Sequence, residues 1–225
     1  MDNNLEKIKE IVEQMSSDAG HKFDHVMRVY NLAMHIAEKE SEEIDIEVLQ
    51  AAALLHDIGG VKEINDPSGN TDHAIEGAKM AEPILQQMGY SAEKIKHIQD
   101  CIISHRFKTE NKPKTIEAKI LFDADKLDAN GAIGLARMFI WIQNNKAHIY
   151  RKVNIDDYIK ENLCGKINGR IQDKSKHSPQ IEYEIKIKFL IDRLHTETAK
   201  EICKDRSAFF KEFLDRLEKE INGQM

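Results

Sequence analysis

Ala51-Ala52-Ala53-Leu54-Leu55-His56-Asp57-Ile58-Gly59-Gly60 is an apolar run that stops abruptly on an imidazole and a carboxylate. Its alanines and leucines suit a helix buried on most of its faces, and the paired glycines punctuate the helix end. Burying His56 and Asp57 without partners would be costly. The turn after a helix releases the second side chain from helical direction, so two adjacent polar groups can converge there on one ion. Taken alone, the pair reads more readily as structural, with Asp57 orienting His56 or capping the turn.

Outward from this run, apolar residues recur at helical spacing, as in Leu5, Ile8, Ile11, Val12 and Met15, then Val26, Val29, Ala33, Ile36 and Ala37. No convincing alternation of a strand is seen. Gly20, Asp45, Gly59-Gly60, and Gly89 followed by Ser91 supply helix stops and starts. The spacing predicts helices near 3–18, 24–40, 46–57, 73–88, 92–105, 115–129, 132–144, 155–170 and 181–221. The expected architecture is an all-α, single-domain helical bundle with its core over 20–140. From 144 to 178 the chain turns polar and basic, with Lys146, Arg151, Lys152, Lys160, Lys166, Arg170, Lys174 and Lys176, and reads as a solvated helical insertion or a lid. The helix over 181–221 is expected to pack across the bundle, with Phe209, Phe210, Phe213 and Leu214 as core or as a homodimer contact.

At 225 residues, 41% hydrophobic and 32% charged, the chain can bury a sizeable core and does not have the composition of disorder. No apolar run approaches the ~20 residues a bilayer needs. Met1-Asp2-Asn3-Asn4-Leu5-Glu6-Lys7 lacks the apolar stretch of a secretory signal, so a cytoplasmic location is expected. Cys101, Cys164 and Cys203 are odd in number and scattered, which argues against a disulfide framework or a paired-cysteine zinc site. A net charge of -6 gives no reason to expect duplex nucleic acid as a partner, whereas a small phosphate ester stays open.

Leu121-Phe122-Asp123-Ala124-Asp125-Lys126-Leu127-Asp128-Ala129-Asn130-Gly131 is a second polar island on an apolar helix. Asp125 and Asp128, three apart, are expected on one face, where like charges call for a compensating cation. Lys126 supplies part of it, and a salt-bridged surface face explains the pattern equally well. A third island is Gly20-His21-Lys22-Phe23-Asp24-His25-Val26-Met27-Arg28-Val29, in which His21 and His25 share a face if the helix begins early enough. His73 and His105 each stand at the end of a predicted helix, and each alone reads as a hydrogen-bonded structural histidine.

In their order along the chain these islands resemble the HD-domain superfamily, and within it the small stand-alone bacterial phosphohydrolases. The resemblance is carried by 20–29, by Ala53-Leu54-Leu55-His56-Asp57-Ile58, by His73 with Gly77, by Ile102-Ile103-Ser104-His105, and by the long stretch 117–137. Leu194-His195-Thr196-Glu197-Thr198-Ala199-Lys200 extends it, so it spans most of the chain.

The resemblance implies a catalytic divalent ion held by His25, His56, Asp57 and Asp125. Two imidazoles and two carboxylates suit Mn first, with Co, Ni, Fe, Zn or Mg as alternatives. His73 and His105 match positions that hold a second metal in some branches and face substrate phosphates in others, and both roles stay open here. The implied chemistry is attack of an activated water on phosphorus, with Asp57 accepting its proton and Asp128 or His21 holding ligands from behind. Arg28, Lys62, His73, His105 and Lys126 are the groups expected to neutralise phosphoryl charge, and Arg106 is a further expected phosphate contact. Arg106 stands where the close branch often has Ser, and Lys126 where it often has Arg. The expected substrate is a small phosphorylated molecule, a nucleotide, with hydrolysis of a triphosphate to monophosphate and pyrophosphate as the leading reaction. A monoesterase, a guanosine-alarmone hydrolase and a catalytically silent sensor are the alternatives.

Overall fold

The computed structural model describes residues 2–16, 22–68, 70–106, 111–167 and 169–224. Among them the regular structure is entirely helical, as the spacing predicts. The chain divides into two compact units, Met1–Asp125 and Lys126–Met225.

The first unit contains α1 (Asp2–Ser16), α2 (Lys22–Ala37), α3 (Ile46–Leu55), α4 (Gly60–Ile64), α5 (His73–Gln87), α6 (Ala92–Ser104) and α7 (Ile116–Leu127), whose last two residues belong to the second unit. α3 is its centre. Val48, Leu49 and all of Ala51 to Leu55 are buried, and the helix packs against α1, α2, α5 and α6. Burying a leucine fully contributes roughly 1.5–3 kcal/mol, so Leu49, Leu54 and Leu55 anchor α3 firmly. Asp45 caps α3 by accepting from the Val48 amide at 3.2 Å, while its own amide donates to Glu117 Oε1 on α7 at 2.8 Å. α5 and α6 pack along each other, joined by the short connection through Gly89, and Ser91 caps α6.

In this unit the departures from the spacing that bear on the site are at α3, α4 and α7. α3 ends at Leu55, so His56 is its C-cap and Asp57 lies in the following turn. α4 comes from a stretch too short for its two apolar residues, Val61 and Ile64, to mark a helix, and Gly59 precedes it without a side-chain cap. α7 stops at Leu127, which leaves Asp128 off the helix instead of sharing the face of Asp125. Asn130, in extended conformation, caps the next helix through the Gly131 amide and so ends the run.

The second unit contains α8 (Gly131–Asn145), α9 (Ile155–Asn162), α10 (Pro179–Ile185) and α11 (Glu197–Ile221), with single 3-10 turns over Lys174–Lys176, Ile187–Phe189 and Ile191–Arg193. The expected helix over 155–170 stops at Asn162, because Cys164 and Gly165 take left-handed backbone, φ 53° and 73°. The expected single helix over 181–221 is broken as well. Ser178 and Pro179 start α10, the chain turns through two 3-10 segments, and Thr196 caps α11 by accepting from the Ala199 amide. Phe210 and Leu214 of α11 are buried with Leu135 and Ile187, Phe213 packs against this cluster, and Phe209 is exposed. Within 144–178, Tyr158 and Leu163 form a separate buried cluster with Ile181 and Ile185.

Beside that cluster the Asn162 amide donates to the Tyr158 hydroxyl (2.8 Å), the hydroxyl donates to His177 Nδ1 (2.8 Å), and His177 Nε2 donates to Glu182 Oε2 (3.1 Å). Burial alone would push the Glu182 carboxyl up, but the Lys186 ammonium and the His177 ring outweigh it and hold it at about 2, against an ordinary 4.5. A carboxyl depressed in the folded chain contributes stability that is complete above its ordinary value and is lost as pH falls toward the folded one. Glu182→Gln keeps the shape without the charge. In thermal melts its deficit against wild type should be largest above about pH 5 and should close between about pH 5 and 2, amounting at most to on the order of 3 kcal/mol. A deficit independent of pH would show that this charge does not stabilise the unit.

Candidate metal centre

Two helix ends present imidazoles in the same way. His56, C-cap of α3, has its Nδ1 2.8 Å from the Ala53 carbonyl oxygen, and His105, C-cap of α6, has its Nδ1 2.6 Å from that of Ile102. A carbonyl at a helix end seeks a donor and can only accept. Each Nδ1 therefore carries the proton, and each Nε2 presents a lone pair in the neutral ring. His56 is 0% and His105 2% exposed, so both rings are held by packing as well.

His25, on α2, brings its Nε2 to 3.4 Å from His56 Nε2, 3.3 Å from Asp125 Oδ1 and 3.8 Å from Asp57 Oδ2. His73, the first residue of α5, brings its Nε2 to 3.3 Å from His105 Nε2 and 3.6 Å from Asp57 Oδ1, which is itself 3.8 Å from His105 Nε2. The Asp57 carboxylate thus turns one oxygen to each histidine pair. Ligand atoms of His25, His56 and Asp125 lie within 4.8 Å of one another, and so do those of His56, Asp57 and His105. Two ligands each about 2.1 Å from a shared ion stand roughly 3–3.5 Å apart, which the 3.3–3.8 Å separations approach. Lone pairs and carboxylate oxygens that converge in this way repel unless a cation sits among them. The four residues expected to hold the ion fit a divalent metal, and His73 and His105 join them through Asp57.

Burial works against charge on Asp57 and Asp125 adds to that, yet His56, His105 and His25 outweigh both and keep the Asp57 carboxyl below the usual carboxylate range. At 28% side-chain exposure Asp57 is also more open than His25 or Asp125, at 14% and 15%. Solvent therefore reaches the cluster on the Asp57 side.

The remaining expected residues are placed as follows. Arg28 is half-buried, one turn beyond His25 on α2. Lys62 of α4 is exposed and pairs with Glu76 Oε2 at 2.9 Å. The Arg106 guanidinium is engaged by two carboxylates, Nη2 on Glu63 Oε1 at 2.8 Å and Nη1 on Asp72 Oδ2 at 2.9 Å. Lys126 follows Asp125 on α7, and Asp128 is buried in an ion pair with Arg137 in the second unit. His21 lies outside the described residues.

Glu63 and Asp72 were not expected at the site. Glu63 Oε2 takes the Nδ1 of His73 at 2.5 Å, which turns the lone pair of that ring to Nε2 as well. Asp72 caps α5 by accepting from the Ala74 amide at 2.9 Å. Burial pushes the Asp72 carboxyl up, but the Ala74 amide and Arg106 bring it below its ordinary value. The cap was readable from Thr71-Asp72-His73-Ala74-Ile75-Glu76; nothing in the spacing links Glu63 to a histidine ten residues on.

Residues 23–130 match the HD domain. The chain is 30% identical to YpgQ of Bacillus subtilis over 97% of its own length and 94% of that protein. Among solved structures, an HD-superfamily hydrolase from Bacillus thuringiensis is similar over 99% of both chains, with a TM-score of 0.71 at 25% identity. The complex of Bacillus subtilis YpgQ with ADP is similar over 98% of this chain and 100% of that one, with a TM-score of 0.70 at 26% identity. Among the described residues no helix is long and apolar enough to cross a membrane.

Proposed function

The chain belongs to the HD superfamily of metal-dependent phosphohydrolases, and we propose that within it the protein hydrolyses nucleoside triphosphates to the monophosphate and pyrophosphate. The observation that carries this reading is the convergence of the His25 and His56 Nε2 atoms on Asp125 and Asp57, a site built for one divalent ion. The nucleotide is supported by the ADP complex of the similar YpgQ.

In this reading His25, His56, Asp57 and Asp125 hold the ion, with Mn the preferred metal, and Asp57, His73 and His105 offer a second position. A divalent ion so held supplies Lewis acidity to a phosphate oxygen and lowers the pKa of water from about 15.7 toward about 7. The residues themselves do the rest. Asp57, ionised and solvent-facing, accepts the proton of the attacking water as its oxygen bonds to phosphorus and the bond to the leaving pyrophosphate breaks. His56 and His105, locked by their helix-end carbonyls, spend no reorganisation on this step. Arg28, Lys62 and Lys126 are the proposed cations for phosphoryl charge.

A screen of the metal-stripped protein tests this. Mn, Co, Ni, Zn or Mg is added against nucleoside triphosphates, monophosphates and a generic phosphoester, with pyrophosphate and orthophosphate read separately. Metal-dependent pyrophosphate release from triphosphates is the expected result. Orthophosphate from monophosphates would replace it with a monoesterase, and tight nucleotide binding without turnover would replace it with a sensor.

A further inference from the structure

Arg106 follows α6, and its guanidinium joins α4 to the start of α5, two elements that also pack against each other. One nitrogen holds Glu63 on α4, and the other holds Asp72, the cap of α5. The second oxygen of Glu63 holds His73 Nδ1. The first residue of α5 is thus held twice, by its backbone through the Asp72 cap and by its ring through Glu63. Both supports lead back to the same arginine.

A planar guanidinium can satisfy two carboxylates at once in fixed directions, whereas an ammonium offers a single point of charge. A carboxylate behind a ligand histidine fixes both its tautomer and its orientation. We propose that Glu63 is the positioning residue that holds His73 with its Nε2 lone pair toward Asp57 and His105, and that Arg106 acts through Glu63 and Asp72, not on the substrate phosphates. This rests on the metal-site reading for its consequence in binding, but the tautomer of His73 is a property of the metal-free chain.

The test therefore begins without metal. In 15N spectra of histidine-labelled, metal-stripped wild type at a pH where the rings are neutral, His73 should be the Nδ1-protonated tautomer. Glu63→Ala should shift it toward the Nε2-protonated form. Mn affinity at the position shared by Asp57, His73 and His105 should then fall about 10- to 100-fold, while the position at His25, His56 and Asp125 keeps its affinity. Arg106→Ala should shift both readouts in the same direction by less, and Arg106→Lys should recover part of the loss. Glu63→Gln covers the case in which the alanine variant does not fold: its amide can accept or donate, so a mixture of tautomers is expected.

An Nε2-protonated His73 in wild type would overturn the proposal. So would a Glu63→Ala or Glu63→Gln variant with unchanged tautomer, or an Arg106→Ala variant that raises KM with tautomer and metal affinity intact, which would return Arg106 to the substrate. If instead the metal reading fails, wild type shows neither metal binding nor metal-dependent turnover, and the metal-free spectra still decide the role of Glu63.

Discussion

Asp57→Ala is expected to lose bound metal and turnover together, with kcat/KM falling at least about a thousandfold, or about 4 kcal/mol of transition-state stabilisation. Asp57 is singled out because each of its oxygens faces a different histidine pair, Oδ2 toward His25 and Oδ1 toward His73 and His105. Its removal leaves the lone pairs of His56 and His105 in a buried cluster with one carboxylate fewer to attract a cation. Metal analysis after gel filtration, paired with steady-state kinetics, checks both halves. Asp57 lies in a turn and is partly exposed, so the fold should persist and the metal-free variant should still melt in a single cooperative transition. An Asp57→Ala variant that keeps its metal and more than a tenth of wild-type turnover would contradict the assignment.

Gly59→Ala is expected to be the most damaging single methyl in the first unit. A Cβ there would lie 2.1 Å from the His73 carbonyl oxygen and 2.5 Å from the Gly77 amide nitrogen, both backbone atoms that cannot swing aside. Either the turn after Asp57 or the start of α5 must move, and His73 moves with α5. Overpacking of this kind costs roughly 1–3 kcal/mol. Urea unfolding should show that loss, together with weaker metal binding at the His73 and His105 position. Gly77→Ala, on the facing helix, is the control. Its Cβ would meet only the Gly59 nitrogen at 3.4 Å, the His56 carbonyl oxygen at 3.5 Å and Ile102 Cγ2 at 3.6 Å, and a helical Gly→Ala change gains up to about 1 kcal/mol. Equal stability of the two variants would show that the approach of α5 to the turn is not set by Gly59.

The close approach at Gly59 also shows what the sequence can and cannot reveal. The apolar run 51–55 ending in His56-Asp57 reads correctly as a buried helix that stops on polar groups, and the apolar spacing elsewhere is enough for an all-helical fold. α4 escapes because five residues, with only Val61 and Ile64 apolar, are too few to set a period. The break between α10 and α11 escapes because Ile185, Ile187, Leu190 and Leu194 keep apolar residues coming, although Ser178-Pro179 and Thr196 were readable as starts. At the site, His25, His56, Asp57 and Asp125 stand out by order and residue type, whereas Asp128 is misplaced by assuming that α7 continues past Leu127. Glu63 is invisible for a different reason. Its partner His73 lies across a loop, and only the fold of that loop brings carboxylate and ring together.

The most direct test is the arm of the substrate screen in which metal alone varies. Stripped wild-type protein should release no pyrophosphate from a nucleoside triphosphate, and adding Mn back should restore release in proportion to the metal bound. Full turnover by protein shown to be metal-free would contradict the account at its centre, since the convergence of His25, His56, Asp57 and Asp125 would then serve some other purpose.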